Sequence, residues 1–450
     1  MTLRSSLLRE LKAPNTSVER RAQISCELAK QLEYRGEYEE ARKALSEWWT
    51  HMDQRPNLAG LDQNTSAEVL MRVGVLTGII GSKNQIAGSN ETAKNLITES
   101  VAMFQAIPYP KKTAEAQTEL ALCYWRSGEY VNASGFLKLV LAQLTNDSEL
   151  KAKAVLRLAI VEHETGRITP ALRLLTKQAL LFDKIRNHTL KGSYHVVLGN
   201  VLENLWESEK QGEYLDRALV EYAAASFHFE EAGHKCYRAN VEINLGFLYY
   251  KINRCKEAHE HLDKARCVHA SLKDKVAMAE VDETRAGVFL KERRYKEAER
   301  VASFSVRALE KGQRQSKLAE ALITHGRALA RLGNYALSLS AFRRAIAVAE
   351  DTNNLNRAAE AALAAFQEIG DQLSTFEGHG PASGRSFTEA KQLLEHEFIK
   401  YALDVHQGSV TNAAHSLGMS HQTLNYMLHT RHKDLLKKRK PSRRDSRMGQ

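Results

Sequence analysis

Gly36-Glu-Tyr38-Glu-Glu-Ala41 and, further along, Gly128-Glu-Tyr130-Val-Asn-Ala133 share one pattern, Gly-x-Tyr-x-x-Ala, and that pattern decides the fold. Weaker copies stand at Gly166, Ile168 and Ala171, at Cys255 and Ala258, at Tyr295 and Ala298, and at Gly333, Tyr335 and Ser338. At the aromatic position, Cys255 to Tyr295 and Tyr295 to Tyr335 are each 40 residues, and Tyr130 to Ile168 is 38. A fixed period of this length marks a solenoid, in which each repeat buries its apolar face by stacking on its neighbours.

Upstream of each copy lies an apolar stretch with a small residue where two helices must approach, as in Leu28-Ala29, Leu120-Ala121, Leu158-Ala159, Leu198-Gly199, Leu245-Gly246 and His325-Gly326. Downstream, apolar positions recur at three- and four-residue spacing, as in Ala41, Leu45 and Trp48 or Ala258, Leu262 and Ala265, the period of an amphipathic helix. The glycine suits the left-handed end of the first helix, and Pro170 suits the first turn of a second. Each unit therefore reads as a helical hairpin. These columns resemble the tetratricopeptide repeat, with a unit longer than that family's 34 residues. Residues 67–106 lack the signature, and Gly212-Glu-Tyr214 is followed by Ala218 one residue late, after an insertion near Trp206 to Gln211. The expected fold is all-α, a right-handed solenoid of hairpins over residues 1–370 with its clear repeats from about residue 20.

Such a solenoid presents a concave groove to a peptide or protein partner. Asn200, Asn204, Asn240 and Asn244 fall as two i, i+4 pairs on first helices of adjacent units. Their amides offer both donors and acceptors and could hold an extended backbone; the simpler expectation is an ordinary solvated face, since polar residues dominate any such stripe.

At 450 residues, 43% hydrophobic and 26% charged, with seven prolines, the chain has the composition of a folded protein. Met1 to Asn15 mixes Arg4, Arg9, Glu10 and Lys12 among leucines, unlike a secretory signal. The most apolar stretch, Val69 to Ile80, contains Arg72 and is too short to span a bilayer. A cytoplasmic, nucleoid-associated protein without membrane contact is expected. The five cysteines, Cys26, Cys123, Cys236, Cys255 and Cys267, are odd in number and form no Cys-x-x-Cys pair, so no disulfide framework is expected. Cys255, His259, His261, Cys267 and His269 supply zinc-ligand types, but Cys255 occupies a repeat column and His261 points away from His259 on a helix. The expectation is packing there, with no metal and no cofactor.

Around Gly370 the helical period fades, and residues 371–386, with Gly378, Gly380, Pro381 and Gly384, read as a flexible linker. Phe387 to Val405 is again amphipathic and ends at Gly408. Next comes Ser409-Val-Thr-Asn-Ala-Ala-His-Ser-Leu-Gly418-Met-Ser-His-Gln-Thr-Leu-Asn-Tyr-Met-Leu428. Ala413 and Ala414 permit close helix approach, Leu417-Gly418-Met419 makes a tight turn, Ser420 can cap the second helix, and Leu424 and Leu428 share a core face. This stretch resembles the Fis-type helix-turn-helix family, which implies a DNA-binding domain over residues 387–432. Such domains generally pair through the helix before the motif, so the resemblance also implies a homodimer.

Residues 433–450 read as a basic tail. Arg431, Lys433, Lys437, Lys438, Arg439, Lys440, Arg443, Arg444 and Arg447 stand against Asp434 and Asp445, so residues 431–450 carry +7 of the chain's formal +10. Charge placed directly after a recognition helix is where phosphate contacts would lie. In the family's geometry the second helix enters the major groove, which assigns base contacts to Ser420, His421, Gln422, Thr423, Asn425 and Tyr426. Gln422 and Asn425 carry amides able to pair with adenine. Ser409 and Thr411 match phosphate-contacting positions, and His421, Asn425 and Tyr426 depart from the basic residues common in the family.

No Gly-x-x-x-x-Gly-Lys-Ser/Thr loop, His-Glu-x-x-His or Gly-x-Ser-x-Gly elbow occurs. The expectation is a non-enzymatic, bacterial-type transcriptional regulator that binds double-stranded DNA and a protein or peptide partner. The competing expectation is a non-catalytic interaction scaffold whose basic C-terminus binds RNA or docks a partner.

Overall fold

The structure, a computed structural model, describes residues 7, 9–11 and 16–374 except 53, 85, 108, 311–314 and 352–354. It then describes 392 and 395–438 except 397, 401, 405 and 418. Among the described residues the regular structure is all helical, with no strand.

Two compact units divide the chain, residues 1–278 and 279–450. The first unit is a succession of antiparallel hairpins: α1 (Val18–Tyr34) with α2 (Tyr38–Ala44), α3 (Gln63–Asn84) with α4 (Ser89–Gln105), and α5 (Pro110–Arg126) with α6 (Tyr130–Gln143). There follow α7 (Glu149–Glu164) with α8 (Ile168–Lys177) and the short α9 (Ala179–Lys184), α10 (His188–Glu209) with α11 (Gly212–Glu231), and α12 (Lys235–Lys251) with α13 (Cys255–Ser271). Helix α14 (Lys275–Lys291) crosses the boundary. The second unit continues with α15 (Tyr295–Leu309), α16 (Gln315–Arg331), α17 (Tyr335–Asp351) and α18 (Leu355–Ser374). It ends with α19 (Val410–Ser416), α20 (His421–Thr430) and a 3-10 helix, Lys433–Lys438.

The turn before each second helix explains the repeat's glycine. At Gly36, φ is 72°, and the two bonds Gly36 N–H to Glu33 O and Glu37 N–H to Leu32 O close the end of α1. The same pair of bonds closes α5 at Gly128 and α12 at Asn253, where φ is 62°. Asn253 and Arg293 (φ 60°) thus occupy the left-handed position in the two units that lack the glycine. Asparagine tolerates this conformation; arginine adopts it at a strain that the surrounding turn must hold.

Packing accounts for the other columns. Ala41, Ala133, Ala171, Ala218, Ala258, Ala298 and Ser338 are all fully buried. The small residues of the first helices are seats for side chains from the second: a Cβ on Gly246 would come within 2.8 Å of Leu262, and one on Gly326 within 2.9 Å of the Phe342 ring. Residues 67–106 form a hairpin without the signature because glycines of α3 do this work, Gly74 receiving Ile97 and Gly81 receiving Ser89. The insertion near Trp206 is absorbed by lengthening: α10 has 22 residues and α11 has 20, against 17 in α12 and α13.

Two expected boundaries move. Helix α18 runs through Gly370 to Ser374, so the first residues of the expected linker are helical, while residues 375–391 lie outside the described ones. Alanines at 358, 361, 362, 364 and 365 are buried along the earlier turns of this helix. At the other end, residues 433–438 are not part of a free tail, since Leu435 is buried in the C-terminal core at 3% exposure.

Candidate nucleic-acid interface and partner groove

The C-terminal domain is built on a small core of Ile399, Ala402, Leu403, Val410, Ala413, Ala414, Leu424, Leu428 and Leu435. Ala413 and Ala414 on α19 are almost wholly covered, which lets α19 and α20 cross closely. Ser420 sits at extended dihedrals before α20, and its Oγ accepts from the Thr423 N–H at 3.0 Å, satisfying one of the orphan donors of the first turn. Ser420 Oγ and Thr423 Oγ1 also lie 2.8 Å apart, so these two hydroxyls serve the cap as well as the surface.

With Leu424 and Leu428 turned inward, α20 exposes Ser420, His421, Gln422, Thr423 and Tyr426, the last at 64%. Asn425 is half-buried on the same helix, Ser409 is half-buried before α19, and Thr411 is exposed. The exposed residues form the face that a reading helix requires. His429 extends that face: it is exposed one turn beyond Asn425, and its Nδ1 donates to the Asn425 carbonyl at 2.8 Å, which leaves Nε2 outward. Its four-residue spacing from Asn425 was the signal in the sequence.

Beyond α20 the chain is fastened to the helical residues before the motif. Glu395, 8% exposed, pairs with Arg431 at 3.3 Å and with His432 at 3.6 Å, and Asp434 meets His396 at 2.5 Å. The contact with His396 lowers the Asp434 pKa below the ordinary aspartate value. Arg431, expected on phosphate, is thus held by a carboxylate while still about half exposed. Lys433 and Lys437 are exposed on the 3-10 helix. The side chain of Lys438, together with Arg439 and Lys440, lies outside the described residues.

The candidate partner groove lies on first helices of the first unit, and it has two chemical characters. Toward the N-terminus the face carries a ladder of paired charges: Arg72 meets Glu33, Glu68 and Glu115 at 2.5–3.5 Å; Lys30 meets Glu115; Lys112 meets Glu68; and Lys153 and Arg157 meet Glu119. Arg72 and Glu119 are each 1% exposed. The opposing charges raise the Arg72 pKa further and hold Glu115 and Glu119 far below the usual carboxylate range, in both cases against the effect of burial. The ladder was invisible in the sequence because its partners lie up to 85 residues apart.

Further along, amides stand beside the charges. Asn200 Oδ1 accepts from Asn244 Nδ2 at 3.3 Å, joining α10 to α12, and lies 2.8 Å from the Tyr222 hydroxyl. Asn204 Nδ2 meets His163 Nε2 at 2.8 Å, joining α10 to α7. Tyr222 also reaches Glu203, which pairs with Lys251. Three of the four asparagines expected as a strip are therefore joined to neighbouring first helices, and Asn240 is exposed. The ordinary solvated face does not describe Asn200, Asn204 and Asn244, which are half-buried and bonded.

Residues 392–428 match the family described as bacterial regulatory protein, Fis family. The C-terminal segment is a Fis-family helix-turn-helix. No curated protein matches the chain. Among solved structures, the chain is similar to a Rap protein complexed with competence and sporulation factor, at 12% identity and a TM-score of 0.57, covering 84% of this chain and 98% of that one. It is also similar to the apo form of the quorum sensor NprR from B. thuringiensis, at 12% identity and a TM-score of 0.50, covering 76% of this chain and 91% of that one. A third is a signal transduction ATPase with a tetratricopeptide repeat sensor from Pyrococcus horikoshii, at 13% identity and a TM-score of 0.50, covering 94% of this chain and 56% of that one. These likenesses fix the fold as tetratricopeptide-like helical repeats. Among the described residues no helix is long and apolar enough to cross a membrane.

Proposed function

We infer that this chain is a DNA-binding transcriptional regulator, without enzymatic activity, whose Fis-family domain reads double-stranded DNA and whose helical repeats bind a peptide or protein partner. The observation that carries the reading is the outward face of α20, capped by Ser420 and stripped of core duties, within the matched family segment. Gln422 and Asn425 are the base-reading side chains, with His421, Tyr426 and His429 beside them; Ser409, Thr411 and the lysines from 433 onward hold phosphates. The amide strip across α7, α10 and α12 is the partner site. Its half-buried amides suit the backbone of an extended peptide, whereas the ladder beside it is already paired within itself. A cytoplasmic, nucleoid-associated, homodimeric protein, paired through the helix before the motif, completes the reading. The Rap protein complexed with competence and sporulation factor, and the quorum sensor NprR, are consistent with a repeat domain that senses a peptide.

Mobility-shift titration of the full chain against duplex DNA, single-stranded DNA and RNA tests this. Preferential duplex binding, with a bound fragment selected from a genomic library, is the expected result. Preferential RNA binding would replace this reading with the interaction scaffold.

A further inference from the structure

The second helices carry a buried position at their C-terminal ends that recurs every 40 residues: Phe229, His269, Leu309 and Ala349, each 2% exposed or less. Three of the four are hydrocarbon, as a packing column demands. In α13 the column holds an imidazole, fully buried. Placing a polar ring where a Leu or Phe would pack is unfavourable unless its nitrogens are used.

The chain sets two further donors beside it. After α13 the backbone turns back on itself through Lys273 at φ 53°, with Asp274 N–H donating to His269 O at 3.0 Å, and this brings the Asp274 carboxyl under the ring. Cys236, the second residue of α12, approaches from the preceding helix. A thiol Sγ, an imidazole nitrogen and a carboxylate oxygen from Cys236, His269 and Asp274 all lie within 4.8 Å of one another. Asp274 is itself 7% exposed and Cys236 is half-buried.

We propose that Cys236, His269 and Asp274 bind a zinc-class divalent cation. The donor set is the mixed S, N and O set that zinc accepts. Tetrahedral bonds of about 2.0–2.3 Å set donors about 3.3–3.8 Å apart, so small side-chain adjustments close the site. Its charge balances, because a thiolate and a carboxylate neutralise a divalent ion and leave no net charge in a covered place. Cys236 lies in the first turn of α12, where the helix dipole favours the thiolate. Lys83 Nζ stands 3.9 Å from Asp274 Oδ2, and a bound metal would take over that role. Three protein ligands leave one position open, and half-buried Cys236 marks the side from which water or a further ligand reaches it. Binding would pin α12, the end of α13 and the turn into α14 to one another. His261, which chain proximity groups with His269, is engaged elsewhere: it pairs with Glu242 at 2.7 Å and stacks on Tyr249.

The test uses the full chain, stripped of metal by a chelator and dialysed. Titration with Co(II), followed by its thiolate charge-transfer absorption, and competition with Zn(II) against a chromophoric chelator read stoichiometry and affinity. One ion per chain is expected, with thiolate absorption. Cys236→Ser should abolish that absorption and weaken zinc binding at least about 100-fold, more than loss of an outer-shell partner does. Asp274→Asn keeps the cap on the Ala277 N–H and guards against a folding artefact; it should weaken binding comparably at unchanged helicity. Cys255→Ala with His259→Ala should bind as the parent does. No stoichiometric ion, an ion without thiolate absorption, or binding unchanged in Cys236→Ser would overturn the site.

Discussion

Acidification should loosen the first unit through one histidine. His234 is 1% exposed at the start of α12, stacked on Tyr237 with ring centroids 3.8 Å apart, with Phe229 and Tyr38 rings beside it and Gly36 of the first hairpin against its edge. Its Nδ1 accepts from the Tyr237 N–H at 3.2 Å and caps α12, so the neutral ring carries its proton on Nε2, which has no hydrogen-bond partner among the described residues. Protonating Nδ1 would break the cap and put a charge among aromatic rings. Burial accordingly holds the His234 pKa down at about 4. Because the unfolded chain binds the proton more readily, near pH 6.5, this group's contribution is intact above that pH and lost as pH falls toward 4. Between pH 7 and pH 5 the loss is about 2 kcal/mol, and it levels off near 3 kcal/mol below pH 4. His234→Asn keeps a capping acceptor and removes the titration. Urea unfolding of both proteins at pH 7 and pH 5 should show the parent losing about 2 kcal/mol more than the variant. Burial also lowers His228 to about 4, but that histidine is present in both proteins and cancels. Equal losses in the two proteins would refute the assignment of a buried neutral ring to His234.

Other perturbations separate the two functional surfaces. Replacing Lys437, Lys438, Arg439 and Lys440 by alanine should weaken binding to all DNA sequences alike, each lost phosphate contact removing about 0.9 from the slope of log affinity against log salt. Gln422→Ala or Asn425→Ala should leave that slope intact and remove about 1–3 kcal/mol of discrimination at one base pair. A tail variant with altered site preference, alongside helix variants that bind every sequence as before, would reverse these roles. Asn204→Ala with Asn244→Ala should weaken capture of a native partner by calorimetry while circular dichroism stays unchanged; unaltered affinity would move the partner site off the amide strip. Arg72→Met should destabilise the first unit by about 3 kcal/mol in urea unfolding, because it removes the buried cation shared by Glu33, Glu68 and Glu115 and leaves Lys30 and Lys112 as the remaining partners of Glu115 and Glu68; a loss under about 1 kcal/mol would mean that water reaches the ladder.

The hairpins were legible because their logic is local. Gly36, Ala41 and the four-residue apolar spacing each answer to one turn or one helix contact, and the structure uses them as the sequence implied. Legibility failed where a column's demand was met by an unusual residue: Asn253 and Arg293 hold the left-handed turn that glycine marks elsewhere. It failed again at Gly370, where a composition rich in turn formers begins while the helix α18 continues to Ser374. In the C-terminal domain, the cap at Ser420 and the inward Leu424 and Leu428 could be read from spacing, whereas Glu395 fastening Arg431 and His432 could not, being 36 residues away from the nearer of them.

The groove shows why sequence alone places a surface without giving its chemistry. The asparagines could be counted off at four-residue intervals, but their meaning depends on what lies across the gap to the next first helix. Asn200 meets Asn244 and Asn204 meets His163, so each amide already spends one hydrogen-bonding group on a neighbour. An amide fixed in this way is pre-oriented, and its remaining groups point without the rotamer cost that a solvated asparagine incurs on binding. The ladder beside it is paired within itself around the buried Arg72 and Glu119, which makes it a rigid wall more than a docking surface for a charged ligand. Recognition on this face should therefore depend weakly on salt, in contrast to the C-terminal domain, where phosphate neutralisation should make salt the dominant variable. Measuring partner and DNA affinity across the same salt range separates the two surfaces within one protein. A steep salt dependence for the partner would place its site outside the amide strip.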